Sequence, residues 1–441
     1  MNYQQQIAPQ LQRIAQSNFI AKMLAFCCVF YIGIPVFSSG VMIRSLDFAA
    51  ILIFLAIAPL CITTNIWKEK GFLRWLAFFL IAVFLSVVLV CIRNSNIHLD
   101  AWLKAIRLSY LLLFGYAAAF WKERQVKCFI KALIWCGTGE AAFSVLMYLF
   151  QIELFCANQT FSKNGQLYYR ASGFVTDAAS FAFLCVTLIF VSLFVLLHEK
   201  EKSIRVVAMA CFVLNWLGLW YSRTRVAIFA AFLIFLIEII LYKFPLDCGK
   251  DVTKWIGKAI IAAGIFIGVA VVIGNLFFSE TICDWMDNLE TAIRSGETVW
   301  SFLNRILSER LYIWAQYVSI LMRTPFLQLL FGSGYYVFEQ SMNVISYAAG
   351  EIMVGRPTHN MILNTFVGMG LFGWLGLVGF VSSIIKMVIS KGALIARPLL
   401  LCQLIFMLVD DSLSMVNSAA VLIVVASCAA CYSADLKRVK D

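Results

Sequence analysis

The chain has 441 residues, of which 62% are hydrophobic and only 13% are Asp, Glu, Lys or Arg. Soluble domains average roughly 45–50% apolar and about 25% charged residues, so this composition excludes an ordinary soluble protein and indicates a polytopic membrane protein. A net charge of +11 would suggest a nucleic-acid partner for a soluble chain, but in a membrane protein it first reports topology.

The hydrophobic residues are concentrated in segments long enough to cross a bilayer, which requires roughly 20 mostly apolar residues. Twelve spans are predicted: 19–38, 45–65, 72–92, 105–121, 127–150, 172–197, 204–221, 225–242, 256–278, 360–385, 393–409 and 413–433. Because the first 18 residues are polar and the first span lacks a small-x-small exit, we expect it to be an uncleaved anchor. The predicted fold is all-α, a polytopic membrane protein with about twelve transmembrane helices.

Basic residues predict the orientation of these spans. The loops on the side of both termini hold 21 of the 35 Lys and Arg. The short loops on the other side hold eight, and long loops translocate largely regardless of charge. Both termini are therefore predicted to be cytoplasmic.

One connection is far longer than the rest. The loop 279–358 is predicted to be external and divides the chain into 1–278 (spans one to nine), 279–358, and 359–441 (spans ten to twelve). Long loops are commonly functional. Within this one, a helical face is predicted to lie along the outer membrane surface. The face consists of Leu307, Leu311, Trp314, Val318 and Leu321, with Glu309, Arg310 and Gln316 opposite.

The external basic residues are mostly Arg, whereas the cytoplasmic ones are mostly Lys. Of 13 external basic residues 11 are Arg, and of 21 cytoplasmic ones 15 are Lys. Topology needs only charge, whereas the planar guanidinium binds phosphate with two hydrogen bonds. The bias predicts an external site for a phosphorylated or acidic ligand. Chance composition with snorkelling of Arg near helix ends is the alternative.

His359 is the histidine most suited to chemistry, because it lies at the outer mouth of the tenth span, between Arg356 and Asn360. An imidazole with a near-neutral pKa can accept a proton from a hydroxyl. A base beside an anion site is one interpretation, and an interfacial His that caps the helix is the other.

Several further polar residues lie at predicted external positions. Arg223 and Arg225 occupy a very short hairpin, where two cations are costly unless an anion or water meets them. The alternative interpretation is that both Arg side chains only extend from helix ends toward water. Arg305 and Arg310 either pair with Glu309 or reach the same anion. The turn residues Asp410 and Asp411 either bind sugar hydroxyls or only form a turn.

Some motifs carry no prediction of chemistry. Gly368-Met-Gly370-Leu-Phe-Gly373 matches GxGxxG, but it lies in an apolar helix and favours helix packing. No HExxH motif, no pair of CxxC motifs and no Walker loop is present, so neither a metal nor another cofactor is predicted. Among the cysteines only Cys156 and Cys283 fall in predicted external segments, where one disulfide is possible in principle.

Four features together resemble the O-antigen ligase and O-antigen polymerase superfamily. They are the Arg-bearing hairpin (SRTRVAIFAAF), an Arg-led amphipathic helix (ERLYIWAQYVSILMRTPFLQLLFGSG), a His-Asn pair opening a Gly-rich span (THNMILNTFVGMGLFGWLG), and twelve spans with both ends inside. Residues 205–385 carry most of this resemblance, and the first five spans match only in hydropathy.

The resemblance implies a metal-independent, inverting membrane glycosyltransferase in the bacterial inner membrane, with its active site facing the periplasm. Its donor would be a glycan on undecaprenyl diphosphate. Arg223 and Arg225, with Arg310, Arg305 and Arg356, would bind the diphosphate, and His359 would activate the acceptor hydroxyl. Asp177, Asp410, Asp411 and Asn360 are the candidates for sugar binding.

Two acceptors for the glycan are compatible with the sequence. Polymerases, which we favour as the larger group, pass the glycan to the next lipid-linked repeat unit, and ligases pass it to the lipid A-core. The competing class is a transporter of lipid-linked oligosaccharides. Transporters typically show repeated halves and ionisable residues near the membrane midplane, and neither is apparent in the sequence.

Overall fold

The structure is a computed structural model and is mostly helical. The residues that it describes are 16–30, 32–36, 41–63, 71–95, 97–152, 158–163, 166–175, 177–243, 310–322, 324–335, 345–346, 353–354, 359–391, 395–409 and 418–428.

Thirteen α-helices lie within these described ranges. They are α1 (Asn18–Val29), α2 (Ser45–Thr63), α3 (Gly71–Asn94), α4 (Leu99–Ala119), α5 (Glu123–Leu149), α6 (Ala178–His198), α7 (Lys202–Tyr221), α8 (Arg225–Lys243), α9 (Arg310–Met322), α10 (Phe326–Phe331), α11 (Met361–Lys391), α12 (Ala396–Val409) and α13 (Ser418–Cys428).

Five of the described helices are long and apolar enough to cross a membrane, namely α3, α5, α6, α7 and α11. This confirms the prediction of a helical, membrane-type protein. The number of twelve spans stays a prediction, and the predicted span at 256–278 lies outside the described residues. Two compact units divide the chain: Met1–Ile228 with Thr324–Phe338 and His359–Asp441, and Phe229–Arg323 with Glu339–Thr358.

The first predicted span is wrong beyond its first half. Helix α1 ends at Val29 and is followed by strand β1 (Gly33–Val36), which pairs antiparallel with β2 (Val41–Arg44). Pro35 lacks an amide hydrogen and disfavours helix at Ile34, so the strand segment of this apolar run is a poor place for a continuous helix.

The prediction of an all-α chain is also incomplete. Two further antiparallel hairpins are present, one formed by β3 (Asn158–Lys163) with β4 (Gln166–Ala171) and one by β5 (Ile345–Ser346) with β6 (Met353–Val354). The sixth span also begins later than predicted, because a 3₁₀ turn at Gly173–Val175 precedes α6.

Helix α6 is the central helix of its unit. In its most apolar window 78% of the residues are buried, compared with 28% in α7 and 33% in α11. Phe183 stacks on Phe406 of α12 with ring centroids 3.9 Å apart. The apolar surface of α6 is therefore satisfied mainly by protein, whereas the other two spans leave more surface for lipid.

The glycine-rich part of α11 is a break in the helix rather than only a packing surface. Gly370 has φ 65°, and the freed carbonyls of Val367 and Gly368 accept hydrogen bonds from the amides of Ser333 (2.9 Å) and Gly334 (3.0 Å). The loop after α10 thus satisfies the interrupted backbone, as an apolar environment requires. The prediction of helix packing named Gly368, Gly370 and Gly373, but the close contacts with α3 are made by two later glycines. Gly376 lies against Phe79 and Gly379 against Trp75.

Arg107, one of the predicted external cations, has a structural partner. Its Nε donates to Oδ1 of Asp47 at 3.1 Å, and its Nη2 donates to Oδ2 at 2.9 Å. Helix α4 begins at Leu99 rather than at 105, so Arg107 lies two turns inside the helix. This ion pair therefore joins α4 to the start of α2.

Candidate functional site

The turn between α7 and α8 presents two cations at one end of the bundle. Ser222 is buried, whereas Arg223 and Arg225 are exposed. Arg223 lies just beyond the α7 C-cap with φ 53°, a left-handed position that usually carries Gly or Asn. A cation there interacts favourably with the helix dipole, but an Arg at this position still bears the cost of the left-handed backbone.

Arg170, on β4, holds this turn in place. Its Nε donates to the carbonyl oxygen of Ser222 at 2.8 Å, and its Nη2 donates to Oγ1 of Thr224 at 3.0 Å. The Thr224 hydroxyl also donates to the carbonyl of Ala178 at 3.3 Å. The β3–β4 hairpin, the start of α6 and the α7–α8 turn therefore meet at Arg170.

Asp177 completes a group of charges around this turn. Burial lowers the pKa of the Arg170 guanidinium, the nearby Asp177 carboxylate raises it, and the like charge of Arg223 lowers it. One Asp177 oxygen caps α6 by accepting from the amide of Ser180 at 2.7 Å. Two guanidinium groups and one carboxylate thus act on one another at the predicted outer end of the bundle.

Two tyrosines lie beneath Arg223. Tyr148 of α5 and Tyr221 of α7 stack with centroids 4.4 Å apart, and Nη2 of Arg223 donates to the Tyr148 hydroxyl at 3.4 Å. The aromatic pair fixes the ends of two spanning helices against each other. It therefore positions the guanidinium without neutralising its charge.

Glu140 is a residue that the sequence interpretation missed. It is 1% exposed within α5, about 14 Å below the Leu149 end at 1.5 Å per residue. Its Oε1 accepts from the amide of Phe174 at 2.8 Å, while Oε2 has no hydrogen-bond partner. A Cβ at Gly173, whose φ is 58°, would overlap Oε1. The signal was available, because an acidic residue inside an apolar span is a functional candidate by default.

The 3₁₀ turn that contains Phe174 therefore extends into the bundle and contacts the Glu140 carboxyl. Phe174 stacks on Phe143 with centroids 4.3 Å apart and meets Phe30 edge-on at 5.6 Å. Arg170 precedes this turn and Asp177 follows it, so Glu140 anchors the segment that carries both charged residues.

Replacing Glu140 tests this anchor. Glu140→Ala leaves the Phe174 amide without its acceptor, and we expect a loss of about 1–3 kcal/mol in the free energy of unfolding. Glu140→Gln keeps an oxygen that can accept the same hydrogen bond, so its free energy of unfolding should stay within about 1 kcal/mol of wild type. Thermal unfolding in detergent measures both, and equal midpoints for the two variants would contradict the anchoring role.

His359 and Asn360 lie at the start of α11, at the end of the bundle that also carries the Arg223 turn. Asn360 caps the helix by accepting from the amide of Leu363 at 3.0 Å, and its Nδ2 donates to the carbonyl of Leu408 near the end of α12 at 3.1 Å. The capping role proposed for His359 therefore belongs to Asn360. His359 itself has φ 47°, which no helix C-terminus explains, and strained backbone of this kind concentrates at functional sites.

Of the remaining predicted site residues, only Arg310 lies in the described part of the chain. Arg310 is the first residue of α9 and is partly exposed. The buried residues of α9 are Ile313 and Tyr317, whereas Val318 of the predicted apolar face is 50% exposed. The other predicted residues lie outside the described part of the chain, and these are Arg305, Arg356, Asp410, Asp411, Cys156 and Cys283.

No group of three or more His, Cys, Asp or Glu that could hold a metal occurs in the described part of the chain. Independence from metals and other cofactors stays a prediction. The described site offers guanidinium groups for an anion, one imidazole, and carboxylate and amide groups for hydroxyls. Groups of these kinds can stabilise a developing charge and transfer protons.

Fold and site together define a helical membrane protein with a cationic cluster at one end of its spans. Residues 210–378 match the model of the O-antigen ligase family, which confirms the predicted resemblance to the O-antigen ligase and polymerase superfamily. The matched region contains Arg223, Arg225, Arg310 and His359, whereas Glu140, Arg170 and Asp177 precede it. No curated protein matches the chain.

Proposed function

We propose that the chain is a metal-independent, inverting glycosyltransferase that acts on a glycan linked to undecaprenyl diphosphate, and that it is a repeat-unit polymerase of O-antigen or exopolysaccharide. The observation that carries this proposal is the cluster of Arg170, Arg223 and Asp177 beside the exposed Arg225. A lipid diphosphate holds its charge at the membrane surface, where a fixed guanidinium cluster can meet it. The family match supports the same class of substrate.

The proposed reaction is a single displacement. The acceptor hydroxyl attacks the anomeric carbon, the new glycosidic C–O bond forms, and the bond from that carbon to the diphosphate oxygen breaks. His359 receives the hydroxyl proton, and the lipid diphosphate leaves with the bonding electron pair. Arg223, Arg225 and Arg310, with Arg305 and Arg356, stabilise the negative charge that develops on the leaving group.

Sugar binding is assigned to the polar groups around this centre. Asp177 and Asn360 each use one side-chain oxygen to cap a helix. Asp177 has a second carboxylate oxygen for a sugar hydroxyl, and the Asn360 amide nitrogen has a second N–H besides the one donated to the Leu408 carbonyl. Asp410 and Asp411 are proposed for the same role. The donor is the undecaprenyl-diphosphate glycan, and no nucleic acid takes part.

The proposed setting is the bacterial inner membrane. Both termini lie in the cytoplasm and the Arg223 turn faces the periplasm, in accord with the distribution of Lys and Arg. The segment 279–358 forms the external loop between the helical parts 1–278 and 359–441.

The second candidate is an O-antigen ligase, which passes the glycan to the lipid A-core. It is favoured by the description of the matched family as O-antigen ligase. A transporter of lipid-linked oligosaccharides has no support from the family match. Glu140 lies well inside a predicted span, so the sequence-based statement that no ionisable residue is apparent near the membrane midplane was wrong.

Purified protein in liposomes tests the proposal, with an undecaprenyl-diphosphate-linked repeat unit as the only substrate. A ladder of lengthening glycans on a gel is the expected result. Transfer that requires added lipid A-core would identify a ligase instead. No product in either arm, from correctly folded protein, would contradict both glycosyltransferase proposals.

A further inference from the structure

A basic pocket lies at the opposite ends of the spans from the Arg223 turn. It is formed where α1, α5 and α7 begin, and its volume is about 480 Å³. Its lining comprises Asn18, Lys22, Arg124, Lys127, Cys128, Lys131, Ala132, Trp135 and Ile204. Four of these nine side chains are cationic and none is acidic.

The three helices that form the pocket are fixed to one another. The side-chain amide of Gln125 donates to Oδ1 of Asn18 at 3.4 Å, which joins α5 to α1. Nζ of Lys131 donates to Oε2 of Glu201 at 2.7 Å, which joins α5 to the start of α7. The pocket is therefore a concave surface between packed helices rather than a row of separate side chains.

Its chemistry changes along a single face of α5. Arg124, Lys127, Lys131 and Trp135 are spaced by three, four and four residues, so they lie one above another. This face is cationic as far as Lys131, and one turn further it carries Trp135, whose side chain is 59% exposed. A Trp one turn beyond the last cation is typical of the boundary between headgroups and acyl chains.

Two cations of the pocket lack a carboxylate among the described residues. Lys127 pairs with Glu123, and Lys131 pairs with Glu201 and Glu199. These pairs are largely exposed, and such surface pairs contribute little to stability. No described carboxylate pairs with Lys22 or Arg124. Lys22 approaches from α1 and Arg124 from the first turn of α5, so both can face one anion.

We propose that this pocket binds the phosphate-bearing headgroup of an anionic phospholipid, with Lys22 and Arg124 as its principal contacts and Trp135 beside the acyl chains. Basic pockets between spanning helices bind headgroups of this kind. The position at the level of Trp135 favours a lipid over a free phosphate ion, which needs no apolar surface. The site is independent of the proposed glycosyl transfer.

The test measures the binding of phosphatidylglycerol and phosphatidylcholine to the purified full chain in neutral detergent, by native mass spectrometry. We expect phosphatidylglycerol to bind and phosphatidylcholine not to bind. The double variant Lys22→Ala with Arg124→Ala should weaken phosphatidylglycerol binding by about 30-fold. Both side chains are exposed, so the variant should keep the thermal midpoint of wild type.

The matched control removes the same number of positive charges from the same end of the helices. Lys202→Ala with Arg205→Ala alters two exposed cations of α7 that do not line the pocket, and we expect its lipid binding to equal that of wild type. Equal weakening in both double variants, or equal binding of the two lipids, would overturn the proposal in favour of general surface charge. Displacement of the lipid by millimolar inorganic phosphate would assign the pocket to a free anion and overturn the lipid headgroup.

Discussion

Replacing Arg223 by Ala is expected to lower the initial rate of glycan transfer by about 10²–10³-fold, the usual effect of removing one group that stabilises a developing anion. Arg223 is exposed at the end of α7, and its guanidinium is held by the Tyr148 hydroxyl at 3.4 Å. The negative charge on the diphosphate increases as the glycosidic bond breaks. The loss should therefore fall mainly on the rate constant rather than on substrate binding.

Two substitutions separate this effect from a loss of structure. Arg205→Ala removes a cation from the other end of the same helix, and its transfer rate should equal that of wild type. Arg223→Lys keeps the charge but loses the planar fork, so its rate should be intermediate. Wild-type transfer by correctly inserted Arg223→Ala would exclude this residue from the site.

The same assay tests whether the imidazole of His359 takes part in the reaction or only its backbone conformation matters. Asn tolerates a left-handed backbone better than most residues, so His359→Asn keeps the φ of 47° accessible while it removes the imidazole. We expect a loss of about 10²–10⁴-fold if the imidazole accepts the hydroxyl proton. An unchanged rate would show that only the backbone conformation at this position matters.

Gly370→Ala is expected to destabilise the protein more than any substitution considered above, by about 3 kcal/mol or more. Its φ of 65° disfavours every residue with a Cβ, and a Cβ there would overlap the Leu330 carbonyl oxygen and lie 2.6 Å from the amide nitrogen of Gly332. Both neighbours are backbone atoms, which cannot move aside as a flexible side chain can. The thermal midpoint in detergent measures the loss.

Gly139→Ala is the matched control, because it makes the same change inside a spanning helix. There the nearest atom to a new Cβ is Cζ of Phe30 at 3.6 Å, an ordinary contact, and Ala favours helix over Gly by about 1 kcal/mol. We expect its midpoint to equal or exceed that of wild type. Similar midpoints for Gly139→Ala and Gly370→Ala would contradict the packing described at the α11 break.

Most of the helical architecture could be predicted from hydropathy, because burial in lipid or protein selects long apolar segments whatever their neighbours are. The α3, α5 and α7 bounds lie within a few residues of the predicted ones. The errors occurred where apolar residues serve another structure. Residues Gly33–Val36 form a hairpin strand, and Gly173–Val175 form a turn that reaches Glu140. Both segments find hydrogen-bond partners outside the predicted helix.

The candidate site could be predicted only in part. Arg223, Arg225 and His359 were proposed as site residues because charged or titratable residues at predicted external helix ends are conspicuous in an apolar chain. Arg170 and Glu140 were missed as site residues because their significance depends on partners distant in sequence. Arg170 contacts Ser222, 52 residues away, and Glu140 contacts Phe174, 34 residues away.

The sequence by itself indicated the membrane class and the resemblance to the superfamily, since the resemblance over 205–385 agrees with the family match over 210–378. The orientation stays a prediction from the same sequence. These properties follow from composition, charge distribution and short motifs, which are local along the chain. Only the tertiary structure decided that Gly370 breaks a helix to receive the loop after α10, that Glu140 anchors the turn beside Arg170, and that four cations line one pocket. Each depends on backbone or side-chain groups from separate helices meeting within a few ångströms, and no local pattern encodes which helices become neighbours.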